Sequence, residues 1–185
     1  MKKKLRAAKL LERLSHHPDE KNPKDQNIVK KLLSSRYFKN AKKILFYLPI
    51  HKEVDLIELF EKGHKGKRMA LPKVVGKGKM HLHYIKDLSE TQTGKFNIKE
   101  PRGHLKEAKP QELELILVPG VAFAHDGHRI GYGKGFYDRL LKNTSAIKIG
   151  IAYEFQIVKN IPAQSHDTPV DFIATEKRIY RIPIK

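Results

Sequence analysis

The run "ELILVPGV", Glu114 to Val121, leads after a short turn region into "GHRIGYGKGFYDRLL", Gly127 to Leu141. Nothing else in the chain narrows its fold as much as this succession. The first run is short, apolar and stopped by Pro119 and Gly120, which predicts a buried strand. Gly131, Gly133 and Gly135 then fall within five residues. Glycines at that density destabilise any regular element, so this loop needs backbone shapes or close approaches that a side chain would forbid. "KGFYDRLLKN" then reads as a helix.

The rest of the chain keeps the alternation. "KKKLRAAKLLERL" sets Leu5, Leu10, Leu11 and Leu14, with Ala7 and Ala8, at loosely helical spacing. It predicts an amphipathic helix with a cationic outer face. "HHPDEKNPKD", with two prolines, breaks it, and "QNIVKKLLSSRYF" resumes helical periodicity. "KILFYLP", "RMALPKV", "KMHLHYI" and "IKIGIAY" read as strands, and "EVDLIELFEKGHKGK" as a helix ending near Gly63. "VDFIATEKRIYRI" reads as a closing strand or strand pair, and the polar "KDLSETQTGKFNIKEPRGHLKEAKP" as a long connection within one domain. The expectation is one α/β domain over residues 1–185: an open, largely parallel sheet with helices on both faces. Ligands of such sheets bind beyond the carboxyl ends of the strands. The glycine stretch lies just past one of them.

Composition limits the function classes. The chain has 39% hydrophobic and 31% charged residues, which suits a folded soluble domain. Cysteine is absent. That removes disulfides, thiolate metal sites and a cysteine nucleophile, and fits a cytoplasmic location. Glu12 and Arg13 interrupt the apolar positions of the basic N-terminus, so neither a signal sequence nor a membrane span is expected. Residues 1–50 carry 14 Lys/Arg against 4 Asp/Glu, and so hold more than half of the net charge of +18. Such a surface attracts polyanions, whether nucleic acid, membrane phosphates, nucleotides or polycarboxylates. No RNA- or DNA-binding motif accompanies the charge, so nucleic acid is not expected as a partner.

Bare N–H groups in a glycine loop that opens a helix suit an anion. Arg129 and Lys134 add positive charge, and Lys134 and Asp138, four apart, share a face if both are helical. Beside a phosphate cradle the lysine would contact phosphate oxygens and the aspartate would hold magnesium. The alternative is a tight turn with an ordinary surface ion pair. Neither the Walker loop nor the G-x-G-x-x-G fingerprint fits, because Gly135 follows Lys134 and the spacing is G-x-G-x-G. His81 and His83 share a strand face, but no third metal ligand has motif spacing.

"PGVAFAHDGHRIGYGKGFYDR" resembles the signature of the 5-formyltetrahydrofolate cyclo-ligase family, also called methenyltetrahydrofolate synthetases. "KKKLR", "FYLPIHKEVDL", "GKFNIKEP" and "IGIAYEFQIV" with "PAQSHDTPVD" resemble further blocks of that family, in the expected order along nearly the whole chain. Ala124 stands where an aspartate is common, and Phe136 where tyrosine is usual.

The resemblance implies ATP as co-substrate, Mg2+ as cofactor and 5-formyltetrahydrofolate as substrate, giving 5,10-methenyltetrahydrofolate, ADP and phosphate. It implies that Lys2, Arg6, Arg129 and Gly131, Tyr132, Gly133, Lys134, Gly135, Phe136 and Tyr137 bind ATP. Lys134 and Arg129 would serve the chemistry. Leu48, Glu53 and the stretch from Tyr132 to Phe136 would border the folate, and Asp138 and Asp167 would hold the metal. Without the resemblance, Lys2 and Arg6 read as solvated terminal residues, Glu53 as a favourable early-helix acid, and Asp167 as a turn cap in "SHDTP".

Overall fold

A computed structural model describes residues 1–76, 78–94 and 98–183. Lys95 to Asn97, inside the "GKFNIKEP" block, lie outside the described residues. The helices are α1 (Lys2–Leu14), α2 (Pro18–Ser34), α3 (Arg36–Asn40), α4 (Ile57–Gly63) and α5 (Phe136–Leu141). The first strands are β1 (Lys43–Leu45), β2 (Arg68–Gly76), β3 (Lys79–Ile85), β4 (Thr91–Thr93), β5 (Lys99–Pro101) and β6 (Glu107–Ala108). They are followed by β7 (Leu115–Pro119), β8 (Ala122–Ala124), β9 (Arg129–Ile130), β10 (Ile147–Ile151), β11 (Ile157–Val158), β12 (Phe172–Ala174) and β13 (Ile179–Arg181).

The main sheet has the order β13-β12-β10-β7-β1-β2-β3-β6. Its centre, β12 to β2, is parallel, and β13, β3 and β6 run antiparallel to their neighbours at the two sides. Alternation along the strands divides the core. Ile44, Phe46, Leu115 and Leu117 face α2, α3 and α4 through Ile28, Leu32, Phe38 and Leu59. Leu45, Ile116 and Val118 face the other way, toward Leu140 and Leu141 of α5. Both faces therefore carry helices, unequally. Leu117 is fully buried between such layers, so Leu117→Ala should cost about 2–5 kcal/mol, read from urea unfolding.

Three predicted elements differ in detail. Helix α2 begins at Pro18, eight residues before "QNIV", because Pro18 suits the first helical turn and Asp19 and Glu20 complement its dipole. Pro23 is tolerated within it. Helix α4 starts at Ile57, where the Asp55 carboxylate accepts the Ile57 N–H at 2.8 Å, so Glu53 lies in the preceding loop. The long connection is partly structured: β4 and β5 pair with each other and β6 extends the sheet edge. These strands are too short to show a period.

The largest departure is α1. Its outer face carries Leu11, 71% exposed, and Leu14, 40% exposed. Lys2, Arg6, Lys9 and Arg13 point inward, each finding an acceptor on another segment. Leu5 and Leu10 pack beside them on the small sheet β11-β8-β9. Lys3 and Lys4 stay exposed as expected, but the other four cations expected outside lie on the docking face.

Candidate active site

The carboxyl end of β7 is where the chain converges. Gln156, 1% exposed, donates through Nε2 to the carbonyls of Gly120 and Val121 at 3.0 and 2.9 Å. Arg13 donates to the same Gly120 carbonyl at 3.0 Å. Beyond this point the β8–β9 hairpin delivers Arg129 and then the glycine loop.

Gly133 and Gly135 have φ of +88° and +65°, the left-handed region that penalises a Cβ. A Cβ on Gly133 would also lie 3.4 Å from the Arg6 guanidinium. The loop takes this shape with its carbonyls engaged: Arg6 Nε donates to the Gly131 carbonyl at 2.7 Å, and Arg139 to the Lys134 carbonyl at 2.8 Å. Gly133→Val should therefore distort the loop and lower the melting temperature, read by thermal unfolding.

Helix α5 begins only at Phe136, so Lys134 is in the loop and does not share a helical face with Asp138. The Lys134 side chain is exposed and has no hydrogen-bond partner among the described residues. Asp138 is paired with Arg129 instead: Nη2 to Oδ1 is 2.9 Å. Arg129 is 8% exposed, and its Nη1 donates to the Thr168 carbonyl at 2.8 Å. Burial pulls its pKa below the ordinary guanidinium value, opposed chiefly by Asp138.

Asp167, next to Thr168, accepts from Lys2 Nζ at 2.5 Å and from the Gln164 N–H at 2.9 Å, both on Oδ2. Burial pushes its carboxyl up, but these bonds outweigh it and the pKa lies below the usual carboxylate value. Arg129 and Thr168 thus bring together the neighbourhoods of Asp138 and Asp167, which the sequence separates by nearly thirty residues.

Two carboxylates fit a magnesium ion that takes its remaining ligands from phosphate and water. Asp138 Oδ2 accepts no hydrogen bond among the described residues, and Asp167 Oδ1 has only His166 at 3.6 Å. The described residues hold no group of three or more His, Cys, Asp or Glu placed to bind a metal by themselves. His81 and His83, with rings 6.5 Å apart, instead meet Glu107 and the Leu105 carbonyl.

Glu53 is 4% exposed. Its Oε2 accepts the Ile50 N–H at 3.1 Å, and its Oε1 accepts the Tyr132 hydroxyl at 3.3 Å. Burial pushes its pKa up to about 7 against the opposing pull of Arg13, the Ile50 N–H and Tyr132. Leu48 is half-buried on the adjoining core. The Tyr137 hydroxyl is buried and has no partner among the described residues. Its pKa is raised by burial first, then by Glu53, with Arg129 opposing. An orphaned donor there suits a bound ligand. Phe136 faces outward, with Arg139 5.6 Å from its ring centre, along a groove shared with Met80 and His81.

Arg13 was not foreseen as a site residue. Its signal was present: Lys2, Arg6, Lys9 and Arg13 follow the i, i+4, i+7, i+11 spacing of one helix face, with no acid among them.

The parallel sheet, the glycine loop past its carboxyl ends and the buried carboxylate beside it define an α/β protein with a candidate site at the carboxyl end of its sheet. Residues 1–176 match the model of the 5-formyltetrahydrofolate cyclo-ligase family, and the chain belongs to that family. It is similar to the solved 5,10-methenyltetrahydrofolate synthetase of Aquifex aeolicus, with 38% identity, a TM-score of 0.90 and coverage of 100% of this chain and 94% of that one. The corresponding Mycoplasma pneumoniae structure shares 29% identity with a TM-score of 0.79, covering 95% and 98%. A curated 5-formyltetrahydrofolate cyclo-ligase of Mycoplasma genitalium is 33% identical over 84% of this chain and 86% of its own length.

Proposed function

We propose that residues 1–185 form one catalytic unit that converts 5-formyltetrahydrofolate to 5,10-methenyltetrahydrofolate with consumption of ATP, in the presence of Mg2+ and in the cytoplasm. Family membership supports the reaction class. The observation that carries the site reading is the Tyr132–Glu53 hydrogen bond of 3.3 Å. It sets the glycine loop one side chain away from a buried carboxylate.

In this reading Glu53, ionised, accepts N–H donors of the pterin. Arg129, Lys134 and the backbone of Gly131 to Gly135 surround the ATP phosphates, with Lys2, Arg6 and Tyr137 beside them. Asp138 and Asp167 hold Mg2+, which supplies neutralisation of phosphate charge. The formyl oxygen attacks the γ-phosphorus and ADP departs. N10 then attacks the formyl carbon and gives up its proton to solvent, and phosphate leaves with the former formyl oxygen. An amide-type oxygen is a poor leaving group, and phosphorylation removes that obstacle. The chain's own contribution is positioning and charge neutralisation. Lys134, exposed and without a partner among the described residues, is free to reach the transferring phosphoryl group.

Nucleic acid has no part in the proposal. Four cations of the basic N-terminus face inward and are engaged, and no described helix is long and apolar enough to cross a membrane.

Substrate labelled with heavy oxygen in the formyl group tests the reaction. Labelled inorganic phosphate should be released, whereas label supplied in solvent should not enter it during turnover. Solvent-derived oxygen in the phosphate would mean ATP hydrolysis and would sink the reading.

A further inference from the structure

Among the four inward cations of α1, Arg13 is committed most deeply. It has no exposed surface (0%) although it lies in the last turn of the helix. Its Nε donates to the His51 carbonyl at 3.0 Å, Nη1 to the Gly120 carbonyl at 3.0 Å and Nη2 to the Tyr132 hydroxyl at 2.5 Å. Nη2 also lies 3.9 Å from Glu53 Oε1. One guanidinium thus spans the loop that carries Glu53, the carboxyl end of β7 and the glycine loop. Burying this charge is costly and gives no packing that an apolar side chain could not supply.

We propose that Arg13 is a positioning residue that orients the Glu53 carboxylate for the pterin without touching the pterin itself. The inference rests on the folate reading of Glu53 given above. Its physical basis is the direction of the protons. Arginine can only donate, so the Tyr132 oxygen must accept from Nη2, and its single proton is left for Glu53 Oε1. The Ile50 N–H holds the other oxygen. Both carboxylate oxygens are fixed, with lone pairs left for incoming donors. The charged and titratable groups facing Glu53 are Arg13 from α1, Tyr132 from the glycine loop, Tyr137 from α5 and Tyr47 after β1. Arg13 is the one cation in this set, so it also favours the ionised carboxylate.

The test combines calorimetric titrations of 5-formyltetrahydrofolate and of ATP with a ligand-free carbon-13 NMR titration of the Glu53 carboxyl. The proteins are wild type, Arg13→Lys, Arg13→Gln, Tyr132→Phe and the Arg13→Lys/Tyr132→Phe double variant. Arg13→Lys should weaken folate binding by about ten-fold and ATP binding by no more than about two-fold. The two substitutions should not add, because each breaks the same chain of hydrogen bonds. Arg13→Gln should move the Glu53 midpoint upward from about 7. Additive losses, equal losses for both ligands, or an unmoved midpoint in folded Arg13→Gln would each overturn the proposal. Should Arg13→Gln fail to fold, the Lys/Phe cycle decides. If wild type binds no folate, the proposed function falls, while the Glu53 midpoint still decides whether Arg13 governs that carboxylate.

Discussion

Asp138→Asn is expected to lower turnover by about a hundred-fold or more and to lower the melting temperature as well. The two losses have different causes. For turnover, the variant removes one of two carboxylates that would hold Mg2+ against the ATP phosphates. For stability, it removes the anion paired at 2.9 Å with Arg129, whose side chain is only 5% exposed. Asparagine can still accept that hydrogen bond but brings no charge, so the cost should be about 1–3 kcal/mol. Asp138→Glu separates the causes. It should recover more of the stability than of the turnover, because metal geometry is less forgiving than charge balance. Rates are to be measured well below the melting temperature at saturating magnesium. Turnover of Asp138→Asn within a few-fold of wild type there would remove Asp138 from the reaction. Asp167→Asn should act in the same direction but less severely.

What the sequence made legible follows from the range of the interactions involved. The strands of the parallel centre announce themselves, because burial on both faces leaves unbroken apolar runs such as "LILVP". Gly133 and Gly135 are likewise local: their need for positive φ is visible as glycine. The face of α1 was misread because hydropathy assigns leucines inward and lysines outward. Here acceptors at Gly120, Gly131, Phe155 and Asp167 draw four cations inward beside Leu5 and Leu10, and all four acceptors lie over 100 residues away in sequence. The Lys134–Asp138 pairing failed for a similar reason. Arg129, buried on β9, takes the carboxylate, and the helix starts too late to align the lysine. Glu53 could not be told from an early-helix acid without the tertiary contact to Tyr132, 79 residues on.

Glu53→Gln should produce opposite effects on binding and on stability. Folate affinity should fall by about 1–3 kcal/mol, with ATP affinity nearly unchanged, because the amide offers one acceptor oxygen and turns its NH₂ toward the pterin donors. Stability should move the other way, and only at the alkaline end. Burial raises the Glu53 pKa from an ordinary 4.5 to about 7, so the folded chain holds this proton more tightly than the unfolded chain. Between those two values the unfolded state binds fewer protons, and the contribution of Glu53 to stability declines as pH rises. Above about 7 both states are ionised and the deficit stays constant. Glutamine never ionises, so at pH about 8 the variant should be more stable than wild type by up to about 3 kcal/mol. Near pH 4.5, where Glu53 is protonated in the fold, most of the difference should be gone. Urea unfolding of both proteins across this range reads the effect directly. A variant equally destabilised at both ends would show that Glu53 is a structural hydrogen-bond acceptor. A gain confined to high pH, together with selective loss of folate binding, identifies a carboxylate kept buried at the expense of stability in order to meet a ligand.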